Sequence, residues 1–127
     1  MDALKPYFLA GGAMLALDAV WLTLRSSYHN ALFQTVQGAP LQMRLLPAIG
    51  VYLLLPLIVV LSAVKGARST VDAARRGAVT GALLYGFYDL TNYATLRGWT
   101  AAMTVTDTAW GAFLCSIGAA VAYSYTH

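Results

Sequence analysis

The sequence predicts an all-α membrane protein, with four transmembrane helices in a compact bundle and a short interfacial helix in the first outer loop. Hydrophobic residues make up 59% of the 127 residues and charged residues only 10%, whereas about a quarter of the residues of a soluble domain are charged. Apolar runs of about 20 residues, the length that crosses a ~30 Å hydrocarbon core, recur four times. Because only short polar segments separate these runs, we treat residues 1–127 as a single domain.

The predicted spans cover roughly residues 6–24, 45–64, 77–96 and 103–123. Pro6 opens the first span, where the N–H that proline lacks would be unpaired anyway. The loop at 25–44 contains an apolar stripe at helical spacing, which predicts the interfacial helix and its end at Gly38 and Pro40. The stripe consists of Tyr28, Leu32, Phe33 and Val36. His29 lies in the same loop, and we interpret it as a solvated histidine.

Small residues predict how the last two spans pack. Gly77 and Gly81 open the third span at the four-residue spacing that lets helices approach closely, and Ser69, Thr70 and Asp72 precede it as candidate caps. The fourth span carries Asp107 at the outer end of a face formed by Gly111, Cys115, Gly118 and Ala122. A single cysteine excludes an internal disulfide and a cysteine-based metal site, so we interpret Cys115 as a buried apolar residue.

Basic residues predict the orientation in the membrane. With four spans, one side carries both termini and the loop at 65–76, with Lys5, Lys65, Arg68, Arg75 and Arg76, and the other side carries Arg25, Arg44 and Arg97. Lys and Arg concentrate on the cytoplasmic side, so both termini are predicted to be cytoplasmic. No signal peptide is expected, since the first span lacks a small-residue cleavage site. The net charge of +3 is spread over the membrane flanks, which argues against a nucleic-acid partner.

Polar residues inside the third span mark a candidate site. Hydrocarbon cannot solvate an ionised carboxylate, so Asp89 must face a protein interior or a water-filled cavity. Residues three and four apart share a helix face, and the polar face here consists of Tyr85, Tyr88, Asp89, Asn92 and Thr95. We expect the Tyr88 hydroxyl to donate to the neighbouring carboxylate. The remaining aromatic residues at this level are interpreted mainly as interfacial anchors: Trp21, Tyr93, Trp99 and Trp110.

Three acidic residues from separate spans are predicted at one depth. At ~1.5 Å per residue, Asp18 and Asp89 lie ~18 Å above the inner ends of their helices, and Asp107 lies ~6 Å below the outer end of the fourth span. All three carboxylates then fall in the outer half of the bilayer. The predicted ligand-binding residues are Asp18, Tyr85, Tyr88, Asp89, Asn92 and Asp107.

Two interpretations of these acids remain open. In the first, the carboxylates bind a cation or an amine, or exchange a proton with the ligand. In the second, Arg25 and Arg97 fold back to pair with the carboxylates, and the ion pairs only fix the helix register. No cofactor is predicted, and the pattern does not identify a metal.

Three segments resemble a family of small four-span bacterial membrane proteins of unknown function, the "predicted membrane protein" family of domain of unknown function 2177. They are Leu17-Asp-Ala-Val-Trp-Leu22, Tyr88-Asp-Leu-Thr-Asn-Tyr-Ala-Thr-Leu-Arg-Gly-Trp99 and Thr106-Asp-Thr-Ala-Trp-Gly111. The resemblance implies a multi-pass protein of the bacterial inner membrane. The three segments contain Asp18, Asp89 and Asp107. It supplies no activity.

The leading functional hypothesis is binding or transport of a cation, an amine or a proton-coupled small substrate. A homo-oligomer is expected, because four short helices rarely enclose a full pathway. One alternative is a lipid-modifying membrane enzyme or accessory subunit that uses an aspartate as general acid or base. The other alternative is a structural partner of another membrane protein.

Overall fold

The computed structural model describes residues 4–38 and 45–127, and within these ranges the chain is helical, with no β-strand. Five α-helices follow one another: α1 (Lys5–Leu24), α2 (Ser26–Gln37), α3 (Leu45–Val59), α4 (Thr70–Thr95) and α5 (Ala101–Ser124). A π-helical turn at Val60–Val64 extends α3. The predicted all-α class is confirmed, and a short helix follows the first span. Pro40 and Arg44, which entered the predictions, lie outside the described residues.

Three helices are long and apolar enough to cross a membrane: α1, α3 with its π-helical turn, and α5. The sequence predicts a fourth span at residues 77–96, but α4 does not reach the apolar character of these three. It begins at Thr70, before the predicted start, so its first turns include charged residues of the predicted loop. By length and composition, the structure therefore gives three membrane-spanning helices rather than clearly four.

Helices α4 and α5 pack closely against each other. A Cβ atom at Gly77 would lie 2.9 Å from the Cβ atom of Ala119, and one at Gly81 would overlap the carbonyl group of Gly111. Glycine is required at both α4 positions, because any side chain would push the two backbones apart. The close approach predicted from the Gly77-x-x-x-Gly81 spacing is therefore present, and its partner is α5.

The apolar core lies where α1, α3 with its π-helical turn, α4 and α5 meet. Small side chains dominate it, so the helices approach closely around the few larger ones. Its residues are Ala10, Met14, Val59, Val60, Ala63, Val64, Ala73, Leu114, Cys115, Ala119 and Ala122. Cys115 is fully buried among them, which confirms its interpretation as an apolar core residue. We call this region the apolar core.

The start of α4 is capped by its own sequence. The Ser69 hydroxyl accepts a hydrogen bond from the Asp72 N–H at 3.0 Å, which satisfies a donor that the helix itself leaves unpaired. The Asp72 carboxylate accepts from the Arg68 N–H at 3.0 Å and pairs with Arg75 and Arg76 at 3.2 and 3.1 Å. The Arg68 hydrogen bond, followed by that of Arg75, lowers the pKa of Asp72 below its usual range.

Helix α2 covers the turn that joins α4 to α5. Leu32 of α2 forms a buried cluster with Trp99 and Met103, and the Phe33 ring meets the Trp99 ring edge to face, with centroids 5.8 Å apart. Because α2 also follows α1 directly, it brings the end of α1 next to the α4–α5 turn. We call this part of the molecule, formed by α2 and the adjoining residues of α1, α4 and α5, the α2 end.

Candidate functional site

A cavity of about 260 Å³ lies at the α2 end, between α1, α2, α4 and α5. Its wall is largely aromatic and contains two carboxylates. The lining residues are Asp18, Trp21, Leu22, His29, Phe33, Tyr85, Tyr88, Trp99, Met103, Asp107 and Trp110. Four of the six predicted ligand-binding residues are among them, so the fold brings together side chains that lie far apart in the sequence.

Asp18 of α1 is held by donors from two other helices. The Tyr52 hydroxyl of α3 donates to Asp18 Oδ2 at 2.8 Å, and the Trp110 indole N–H of α5 donates to Asp18 Oδ1 at 3.0 Å. A carboxylate oxygen can accept more than one hydrogen bond. Asp18 therefore ties α1 to α3 and α5 and keeps acceptor capacity toward the cavity.

Asp89 of α4 is completely buried behind the cavity wall, at 0% exposure. The Thr108 hydroxyl donates to Asp89 Oδ2 at 3.5 Å, and Asp89 Oδ1 has no hydrogen-bond partner in the described part of the chain. Asp89 is therefore buried against α5 with one oxygen unpaired, whereas Asp107, next to Thr108 in the sequence, lines the cavity.

Arg25 and Arg97 do not pair with these acids. Among residues 4–38 and 45–127, ion pairs of 4.0 Å or less involve only Asp72. The Arg25 guanidinium instead lies over the rings of Trp21 and Tyr28, at 4.9 and 4.3 Å from their centroids, and Arg97 is exposed. The carboxylates of the α2 end are thus left without a cationic side chain of the described chain.

The acids also do not form a metal site. Nowhere in the described residues do three His, Cys, Asp or Glu side chains gather closely enough to hold a metal ion. Asp18 accepts hydrogen bonds from Tyr52 and Trp110, while Asp89 accepts one from Thr108. The arrangement offers separate carboxylates around a cavity rather than one shell of oxygen ligands.

Several buried nitrogen atoms at the α2 end have no hydrogen-bond partner within the described part of the chain. They are Trp21 Nε1, Arg25 Nε, His29 Nε2 and Trp99 Nε1. Three of these belong to residues that line the cavity. Because an unpaired buried donor costs about 1–3 kcal/mol, a ligand that brings acceptor atoms into the cavity would recover that free energy.

The prediction that His29 is solvated is wrong, because its side chain is only 6% exposed. It shares the inward face of α2 with Leu32, Phe33 and Val36, at offsets of three, four and seven residues. Burial, reinforced by the positive charge of Arg25, lowers the pKa of His29 from its usual 6.5. The negative charges of Asp107 and Asp18 act in the opposite direction, and the net effect keeps the imidazole neutral at neutral pH.

The remaining predicted site residues of α4 have different surroundings. Tyr88 is 54% exposed and meets the Trp99 ring edge to face, at 6.4 Å between centroids. Thr108, rather than Tyr88, donates to Asp89. Asn92 lies one turn beyond Tyr88 but is not part of the cavity wall.

An apolar groove of about 410 Å³ runs between α3 and α4. It is lined by Val51, Leu54, Leu55, Ile58, Leu84, Tyr85 and Tyr88. The two tyrosines also line the cavity at the α2 end, so the groove and the cavity are neighbours that share a wall. The groove is open at the surface, since Leu54 remains 57% exposed.

The three tryptophans contribute more to the candidate site than the sequence predicted. Trp21 and Trp110 stack face to face, with ring centroids 4.4 Å apart and planes within 7°, and Trp99 is 5% exposed. All three line the cavity instead of serving only as interfacial anchors. One signal was available in the sequence: Trp21 and Trp110 each follow an acid by three residues, so each shares a helix face with Asp18 or Asp107.

The three long apolar helices found among the described residues fit an integral membrane protein. Residues 3–124 match the family described as "Predicted membrane protein (DUF2177)", and the chain belongs to this family. The resemblance drawn from the sequence segments is therefore confirmed. No curated protein and no solved structure matches the chain.

Proposed function

We propose that this chain is a four-span integral membrane protein whose cavity at the α2 end binds a protonated amine. The observation that carries the proposal is that two carboxylates, Asp18 and Asp107, line one aromatic cavity with no Lys or Arg of the described chain paired to them. Carboxylates accept strong hydrogen bonds from an ammonium group. Aromatic ring faces attract its positive charge.

An amine fits this cavity better than a metal cation does. Ca²⁺ and Mg²⁺ require at least six oxygen ligands in one shell, and the described residues gather no such cluster. An ammonium group needs only a few acceptors and tolerates ring faces as neighbours. The stacked rings of Trp21 and Trp110 beside Asp18 supply that surrounding.

The exposed face of α4 supports its assignment as the fourth span. Its polar residue Asp89 is buried against α5. The outward side carries large apolar side chains that are each more than half exposed: Val79, Leu83, Phe87 and Leu90. A helix whose acidic residue is buried against a neighbouring helix, and whose exposed face is apolar, can cross hydrocarbon despite a modest mean hydropathy. The basic residues at the opposite end support the further proposal that the α2 end faces outward and that both termini lie in the cytoplasm of a bacterial cell.

Intrinsic fluorescence tests the amine site directly, because the three tryptophans of the chain all line the cavity. Purified protein in detergent is titrated with propylamine at pH 7, and a saturable fluorescence change is expected. Asp107→Asn should weaken binding about 10- to 100-fold, the equivalent of losing a charge-assisted hydrogen bond. Asp18→Asn provides a second variant, in case the first one fails to fold.

Asp72→Asn is the matched control, since it removes one carboxylate at the other end of α4. It should bind propylamine like the unmodified protein. The proposal is rejected if folded protein gives no saturable change, or if all three variants bind alike. The predicted homo-oligomer, lipid-modifying enzyme and structural partner stay predictions.

A further inference from the structure

We propose that the amine held in the cavity belongs to a membrane phospholipid, whose phosphate pairs with the unpartnered N–H groups and whose hydrocarbon chain lies in the groove between α3 and α4. The inference rests on the proposed function and names its substrate class. Three features of the described residues carry it: the groove, the unpaired nitrogens and the presence of carboxylates and N–H donors in one cavity wall.

The groove provides a place for a hydrocarbon chain directly beside the cavity. Its wall is apolar apart from Tyr85 and Tyr88, which are also the residues shared with the cavity. Leu54 lies in the groove and is 57% exposed, so the groove is accessible from the side of the helices. A ligand with its head in the cavity would extend its chain past Tyr85 and Tyr88, the residues common to both linings, into the groove.

The unpaired nitrogens provide partners for a phosphate. An indole N–H is a donor only, so Trp21 and Trp99 can be satisfied solely by acceptor atoms. Trp99 and His29 are 5% and 6% exposed, and within the described chain neither Trp99 Nε1 nor His29 Nε2 has a hydrogen-bond partner. Phosphate oxygens are strong acceptors. The Arg25 guanidinium, stacked over Trp21 at 4.9 Å, adds a positive charge behind these donors.

The cavity wall thus contains two kinds of polar group. Asp18 and Asp107 line the cavity, and so do Trp21, His29 and Trp99, whose indole N–H groups and imidazole Nε2 have no partner in the described chain. An amine alone would leave the indole donors unpaired, and a phosphate alone would bring an anion beside two carboxylates. A headgroup that carries both an ammonium and a phosphate satisfies both kinds of group.

Competition between four probes tests each part of the ligand. Native mass spectrometry measures binding of phosphatidylethanolamine against phosphatidylglycerol, which lacks the amine. The other competitors are oleylamine, which lacks the phosphate, and glycerophosphoethanolamine, which lacks the chains. We expect each of the three to bind at least about 10-fold more weakly than phosphatidylethanolamine. Equal binding of any of them overturns the proposal.

A matched pair of variants tests the groove. Leu54→Trp fills the groove, whereas Leu53→Trp, on the same helix and at 56% exposure, lies outside its lining. Leu54→Trp should weaken phosphatidylethanolamine at least about 10-fold and leave the affinity for propylamine, measured by calorimetry, unchanged. Leu53→Trp should change neither affinity.

The outcomes separate this inference from the proposed function. If propylamine binds in an Asp107-dependent manner but Leu54→Trp leaves phosphatidylethanolamine binding intact, the phospholipid inference fails and the amine site stands. If propylamine does not bind at all, the amine site fails as well. His29→Leu adds a readout for the phosphate side: it should weaken phosphatidylethanolamine but not oleylamine, and equal effects on both would overturn the phosphate assignment.

Discussion

The apolar core and the α2 end bury their residues in opposite ways. The core brings small side chains of four helices into contact, and two α4 glycines lie directly on the α5 backbone. The α2 end encloses carboxylates, indole N–H groups and a neutral histidine around a cavity. Close packing stabilises a fold but leaves no room for a ligand, whereas unpaired polar groups destabilise it and create binding capacity. The comparison indicates that close packing and unpaired polar groups occupy different parts of the same helices.

The largest expected effect comes from filling the α4–α5 contact of the core. Gly81→Leu should lower the free energy of unfolding by more than about 3 kcal/mol, because its side chain would overlap the α5 backbone and cannot be accommodated by rotation. Gly12→Leu is the control, since the space around Gly12 is open to 4 Å. Unfolding in a titration with sodium dodecyl sulphate measures both variants. Similar stability of the two would contradict the assignment of the core.

The next largest effect on stability is expected at the α2 end, where one indole N–H has a hydrogen-bond partner and another has none among the described residues. Trp110→Phe removes the N–H that reaches Asp18 and should cost about 1.5–3 kcal/mol, the range for hydrogen bonds to charged groups. Trp99→Phe removes an N–H without a partner among the described residues, so its cost should be near zero or negative in ligand-free protein. Thermal unfolding of the delipidated protein measures the stability of both variants. An equal loss of stability in the two would contradict the distinction between paired and unpaired N–H groups.

A pH-dependent effect is expected at His29. Burial and Arg25 lower its pKa from the usual 6.5, so the unfolded chain takes up a proton at a higher pH than the folded chain does. This residue's contribution is therefore fully present above pH 6.5 and declines as the pH falls from there, by at most about 1.4 kcal/mol per pH unit.

Hydrogen exchange of the α2 amides, followed from about pH 7.5 down to about pH 5, measures this effect. This interval covers the range in which an ordinary histidine gains its proton. Protection of α2 should fall with acidification in the unmodified protein. His29→Leu should flatten the dependence. A steeper or unchanged slope in that variant would contradict the burial of a neutral imidazole.

The smallest effect concerns the start of α4, away from both regions. Ser69→Ala removes the cap that accepts from the Asp72 N–H and should cost about 1 kcal/mol. Ser27→Ala, at an exposed position of α2, should change stability by less than about 0.5 kcal/mol. Denaturant titration compares the two, and an equal response would show that the cap contributes nothing.

Much of the helical architecture could be predicted from the chain alone. Long apolar runs predict α1, α3 and α5, because a segment of ~20 apolar residues is stable only away from water. The stripe on residues 28–36 predicts α2, which ends at Gly38 with a φ of 73°. Gly77 and Gly81 predict close packing, since no other residue is as small. Ser69, predicted as a candidate cap, is the N-cap of α4, although the apolar run that predicts the span begins only at residue 77.

The candidate site was predicted in part. Membrane acids require partners, so Asp18, Asp89 and Asp107 could be singled out individually. Their partners could not be assigned, because Tyr52, Trp110 and Thr108 come from other helices or adjacent turns whose rotation the sequence leaves undetermined. The same reason explains why the tryptophans and His29 were interpreted as surface residues.

The sequence by itself determined which segments are helical and which polar residues have to be enclosed, because both follow from local hydrophobicity and helical spacing. Only the tertiary structure decided which groups meet: Asp89 with Thr108, Asp18 with Tyr52 and Trp110, and the groove with the cavity. The physical reason is that the relative rotation and depth of packed helices depend on side-chain contacts between distant segments, and a small rotation exchanges one set of partners for another.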